Sequence, residues 1–122
     1  ALDDSPVSKN FRVIVGVDES NMRWDDGPGL GSVYGDFKAA TPCVQIPFVV
    51  RNPKKPALLF NTGTSLAAPS WTSCIALLMS LDPNLSAPQA DKIVFQTATV
   101  TPEGYHVPDL HNAVNTALGL DQ

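Results

Sequence analysis

Asn61-Thr62-Gly63-Thr64-Ser65-Leu66-Ala67-Ala68-Pro69 decides how this chain is read. The apolar, strand-like run Ala57-Leu58-Leu59-Phe60 precedes it, and Trp71 to Met79 follows with the length and apolarity of a helix. Ser65 therefore stands where a strand turns sharply into a helix. The first N–H groups of a helix lack partners inside it, and the helix dipole puts partial positive charge there. A hydroxyl attacking a carbonyl at that point finds donors ready for the developing oxyanion. Gly63 permits a tight turn and close approach of a substrate backbone. Pro69 is expected in the first helical turn, where a missing N–H loses little. An ordinary glycine turn with a serine N-cap would account for Gly-Thr-Ser alone.

The run Gly63-Thr64-Ser65-Leu66-Ala67-Ala68-Pro69 resembles the nucleophile motif of the subtilisin-like serine proteases, Gly-Thr-Ser-x-Ala-x-Pro, at every fixed position. Other segments share the resemblance. Val13-Ile14-Val15-Gly16-Val17-Asp18 looks like a family strand ending Val-Gly-Ala-Val-Asp, with one residue fewer. Asp82-Pro83-Asn84-Leu85-Ser86 looks like the segment after the family's nucleophile helix, and Gly104 to Asp109 is similar to its closing segment. There are departures. Thr41-Pro42-Cys43 stands where the family usually has Ala-Pro-Gly, which puts the local turn in question because Cys takes positive φ less freely than Gly. Ser70 and Ser73 stand where many members have His and Gly. The resemblance covers roughly Val13 to Leu118, less than half of a subtilase.

It implies an α/β class, the carboxy-terminal portion of a three-layer fold in which a sheet flanks a central buried helix, completed by another chain. Residues 1–10 read as an arm or linker end, and 11–122 as the carboxy-terminal part of the catalytic domain. Ser65 is implied as the nucleophile, with Leu66 and Thr62 as binding residues and Leu66 bordering the leaving-group side.

Composition agrees with a buried, globular chain: 122 residues, 43% hydrophobic and 16% charged, enough for one domain with a core. The net charge of −4 argues against nucleic acid, and Arg51 with Lys54-Lys55 reads as a solvated hairpin tip. Pro56 to Leu81 carries no charge, but Asn, Thr, Ser, Gly and Pro interrupt it too often for a membrane span. The chain opens Ala1-Leu2-Asp3-Asp4, with neither start methionine nor signal peptide, which suggests a processed or excised piece. Cys74, in the apolar helix, reads as a small buried hydrophobe.

Two apolar runs, Val44 to Val50 and Ala57 to Asn61, flank a Pro-containing polar tip and predict a hairpin delivering the chain to Ser65. The helix from about Leu66 to Leu81 is apolar on nearly all faces, the mark of a helix buried inside a protein. Ser86 with Gln89 fits a capping box, and Pro88 sits in the first turn of the helix it opens. Ala90, Ile93, Val94 and Ala98 share one face of that helix. Leu110, Ala113, Val114, Ala117 and Leu118 repeat at helical spacing between a capping Asp109 and a stopping Gly119. Asp25-Asp26-Gly27-Pro28-Gly29 reads as turn chemistry. Structural calcium, held in surface loops by some subtilases, cannot be placed here, and no other cofactor is implied.

A serine nucleophile needs a base and a group that orients it. Subtilases order these Asp, His, Ser along the chain, whereas His106 and His111 both follow Ser65. The catalytic Asp and His, and the Asn completing the oxyanion hole, would lie before residue 1. Alone, the chain is expected to be inactive. Its expected partners are the amino-terminal part of the same protease as a separate chain and a peptide or protein substrate, with no nucleic acid and no membrane; the family is most often exported. Three other readings remain open. One is a non-catalytic subtilase-like scaffold. Another is an α/β-hydrolase-type esterase, whose order Ser, acid, His could draw on His106 or His111, although Ala67 replaces the last Gly of its elbow. The third is a sedolisin-type peptidase with Glu and Asp partners upstream.

Overall fold

The computed structural model describes residues 11–33, 35–52 and 54–120, so the arm expected over residues 1–10 lies outside them. The β-branched run condenses to a short strand, β1 (Val15–Val17), parallel to β2 (Ala40–Pro42) with Gly16 opposite Thr41. Asp18 ends β1 by accepting the Ser20 and Met22 N–H groups at 2.8 and 3.1 Å, an Asx turn. Asp25 accepts the Gly27 N–H at 3.1 Å and pairs with Arg23 at 2.9 Å, which is the expected turn chemistry.

The hairpin forms as its pattern predicts. β3 (Ile46–Val50) pairs antiparallel with β4 (Ala57–Asn61), from Ile46 opposite Asn61 to Val50 opposite Ala57. Arg51, Lys54 and Lys55 are exposed at its tip. Next come α1 (Thr64–Leu81), α2 (Ala87–Thr97), the antiparallel pair β5 (Thr99–Val100) and β6 (His106–Val107), and α3 (Leu110–Ala117). The α2 capping box is complete: Ser86 Oγ accepts the Gln89 N–H, and Gln89 Oε1 accepts the Ser86 N–H. Asp109 caps α3 through the Asn112 N–H at 3.0 Å, and Gly119 ends it at φ 66°.

Helix α1 lies between β1–β2 and the α2–α3 pair. Its residues Trp71, Cys74 and Leu78 form the core with Ala39, Ala90, Val94 and Ala113. The alanines on the facing elements leave room for the indole. Asp91 of α2 accepts from Trp71 Nε1 at 2.8 Å and from the Arg12 guanidinium, whose Nε lies 2.8 and 3.0 Å from the two carboxylate oxygens. The guanidinium carbon also sits 4.7 Å from the Phe95 ring centre, a cation–π contact.

Two expectations are corrected. The first concerns burial of α1. Only the line Ala67, Trp71, Cys74, Leu78 is buried, while Ala68, Thr72, Ser73, Ala76, Leu77, Ser80 and Leu81 are exposed. The described residues supply layers for one face of the helix and leave the other open. Hydroxyls on or beside that open face turn back onto the helix: Thr72 donates to Ala68 O at 3.1 Å, Ser73 to Pro69 O at 2.8 Å and Ser80 to Leu77 O at 2.7 Å. The face is therefore less polar than its composition. By length and apolarity α1 would also pass for a membrane span, but it packs here as the core helix of an α/β fold. The second correction concerns Pro69, which is the sixth residue of α1 and so lies beyond the first turn. It removes the N–H that would otherwise reach the Ser65 carbonyl.

Candidate active site

Ser65 is the second residue of α1 and is exposed. The N-cap is Gly63, not a serine, and no side chain caps the helix. Leu66 N–H donates to Gly63 O at 3.0 Å, but among the described residues nothing accepts the Ser65 N–H or bonds its hydroxyl. A Cβ built on Gly63 would meet no atom within 4 Å, so the space beside the turn is open. An unpaired N–H, an exposed hydroxyl and the positive end of an 18-residue helix thus converge on one point.

The turn is held from beneath. Gly63 N–H donates to Cys43 O at 2.9 Å, and Cys43 N–H donates to Val17 O at 3.0 Å, so the turn hangs from β1 through Cys43. Cys43 fits without a positive φ; Gln45 takes one instead, at φ 54°. Its N–H donates to Thr62 Oγ1 at 3.0 Å. Thr62, one expected binding residue, is therefore half-buried with its oxygen already accepting one bond. Leu66, the other, is half-buried next to Ser65, and its carbonyl accepts from Ser70 Oγ at 3.0 Å.

Cys43 and Cys74 are both free and buried. Burial, aided by the nearby Asp18 charge, pushes the Cys43 thiol up to about 11, and burial also raises Cys74. Both thiols stay protonated and enclosed near neutral pH, whereas Ser65 is exposed. The histidines are engaged elsewhere. His106 stacks on Phe95 with ring centres 4.1 Å apart and lies 3.2 Å from Phe95 O through Nδ1. His111 lies 3.5 Å from Asn115 Nδ2 on α3. Neither hydrogen-bonds Ser65, so the order Ser, acid, His that an α/β-hydrolase would need is not assembled at the turn.

Neither a protein-family model nor a curated protein matches the chain. Solved structures do. The A-subunit of the AB5 toxin from E. coli matches 93% of this chain at a TM-score of 0.73 and 19% identity. A structure of subtilase cytotoxin SubAB matches 95% at 0.71 and 19% identity. The serine protease MycP1, a component of the type VII (ESX-1) secretion system, matches 90% at 0.62 and 21% identity. The fold is subtilase-like. The chain spans 40% of the length of the toxin chains and 31% of MycP1, so it has part of that fold. This agrees with the α/β class expected from the motif.

Sequence reasoning missed the supports beneath the turn. Thr41 and Cys43 reach residues 67 and 63 from twenty or more positions away, and no local pattern announces such contacts.

Proposed function

We propose that this chain is the nucleophile-bearing part of a subtilisin-like serine endopeptidase, working with the amino-terminal part of the same protease as a separate chain. The observation that carries the reading is Ser65, exposed and with an unpaired N–H at the head of the α1 helix of a subtilase-like fold. In this reading Ser65 Oγ attacks the scissile carbonyl while its proton passes to an imidazole of the other part. The Ser65 N–H then donates to the oxyanion. The C–N bond breaks as the imidazolium returns the proton to the leaving amine, and water hydrolyses the acyl-enzyme. Leu66 borders the leaving-group side, and Thr62 contacts substrate before the nucleophile. Export belongs to the same proposal, since the neighbours are a toxin subunit and a secretion-system component.

The open face of α1 and, separately, the exposed apolar hairpin residues Val49, Leu58 and Phe60 support a covering partner, because exposed apolar surface is a feature of interfaces. A second reading is a non-catalytic scaffold, with which the likeness to a toxin A-subunit is compatible.

A fluorophosphonate probe applied to the assembled protein separates the two. Labelling of Ser65, lost together with peptide hydrolysis in Ser65→Ala, is the expected outcome; the loss is about 10⁶-fold in kcat, as for a triad serine elsewhere. An assembled protein in which Ser65→Ala keeps full activity, or in which Ser65 never labels, removes the protease reading.

A further inference from the structure

We infer that Thr41 is a positioning residue for the Ser65 turn, an inference that rests on the proposed role of Ser65. The Thr41 hydroxyl is buried and donates to Ala67 O at 2.7 Å. Two residues further on, just past the end of β2, Cys43 O accepts the Gly63 N–H at 2.9 Å. Residues 63 and 67 lie two positions before and two after Ser65. β2 and the residue that follows it therefore grip the turn on both sides of the nucleophile. That strand is itself fixed, because Gly16 pairs with Thr41 and Val17 O accepts the Cys43 N–H.

The grip matters because the helix holds its own first turn weakly. Pro69 offers no N–H to the Ser65 carbonyl, and among the described residues the Ser65 N–H has no acceptor and no side chain caps the helix. The tertiary bonds from Thr41 and Cys43 supply rigidity that the ladder omits. The Cys43 bond uses backbone only and survives most substitutions there. The Thr41 bond uses a side chain and can be deleted alone. Ala67 O remains within reach of the helical Trp71 N–H, so deletion of the hydroxyl leaves no orphaned carbonyl. The expected penalty is therefore misplacement of Ser65 rather than unfolding.

The test compares Thr41→Val, which keeps the shape, and Thr41→Ser, which keeps the hydroxyl, in the assembled protease. Three readouts are taken: fluorophosphonate labelling rate, kcat and KM on a small peptide ester, and amide hydrogen exchange of the segment 63–67. We expect Thr41→Val to lower kcat by about 10- to 100-fold, the cost of a displacement approaching 1 Å. KM should hold, exchange over 63–67 should quicken, and Thr41→Ser should restore all three. Wild-type kcat in Thr41→Val, or a Thr41→Ser enzyme as slow as Thr41→Val, overturns the assignment. A Thr41→Val chain that does not fold makes Thr41 merely structural and overturns it too. Wild-type protein that never labels defeats the protease reading instead; exchange over 63–67 then decides Thr41, and an unchanged rate overturns the grip.

Discussion

Gly16 and Cys43 share one slot beneath the Ser65 turn. A Cβ built on Gly16 would stand 2.5 Å from Cys43 Sγ and 3.0 Å from its Cβ. Both are buried, and Cys43 is held at both its N–H and its carbonyl, so it has little freedom to retreat. A thiol where the family resemblance leads one to expect Gly is thus accommodated by a glycine on the neighbouring strand. Gly16→Ala should cost about 1–3 kcal/mol by overpacking. Gly16→Ala with Cys43→Ala should recover most of that loss, since the clash involves chiefly the sulfur. Denaturant midpoints of the two single variants and the double variant measure this coupling; simple additivity would mean the two residues do not compete for space.

The helices α1 and α2 are joined by one carboxylate. Asp91 satisfies the Trp71 indole, whose residue is 2% exposed, and fixes Arg12 against Phe95. In Asp91→Ala the indole N–H loses its partner inside the core, at a cost of about 1–3 kcal/mol. The expected signs are a lower unfolding midpoint and altered tryptophan fluorescence, with far-ultraviolet circular dichroism unchanged because α2 keeps its capping box. Arg12→Ala should cost less, because Arg12 is exposed and its removal leaves no buried donor behind. Equal costs for the two variants would show that the ion pair, not the indole bond, joins the elements.

At the level of the whole molecule, the decisive feature is that the described residues cover α1 on one face only. Its open side combines Ala68, Ala76, Leu77 and Leu81 with Thr72, Ser73 and Ser80, whose hydroxyls bond helix carbonyls. Ala76 lies on that side and outside the core cluster. If the amino-terminal part proposed above covers this side, Ala76→Glu should leave the fold of this chain intact while preventing that association, because a carboxylate would be buried without a counter-charge. Co-purification with the partner and circular dichroism of the variant measure the two effects. Retained association would place the covering layer elsewhere.

The amino-acid sequence by itself determined the local devices: the serine at a helix head, the hairpin before it, the Ser86–Gln89 capping box and the Asp109 cap. Each joins residues close along the chain or repeats at a fixed spacing, so its physics is complete within one short window. Pro69 lies within such a window, yet its place in the helix depends on a start at Thr64 that the apolar pattern does not mark. The tertiary structure alone decided which face of α1 is covered, that Thr41 and Cys43 grip the turn, and that Asp91 joins Trp71 to Arg12. An apolar pattern states that a face needs covering but not what covers it, and a hydroxyl in a strand does not reveal which distant carbonyl it will meet. Those outcomes depend on how separate elements pack, and packing is a property of the folded whole.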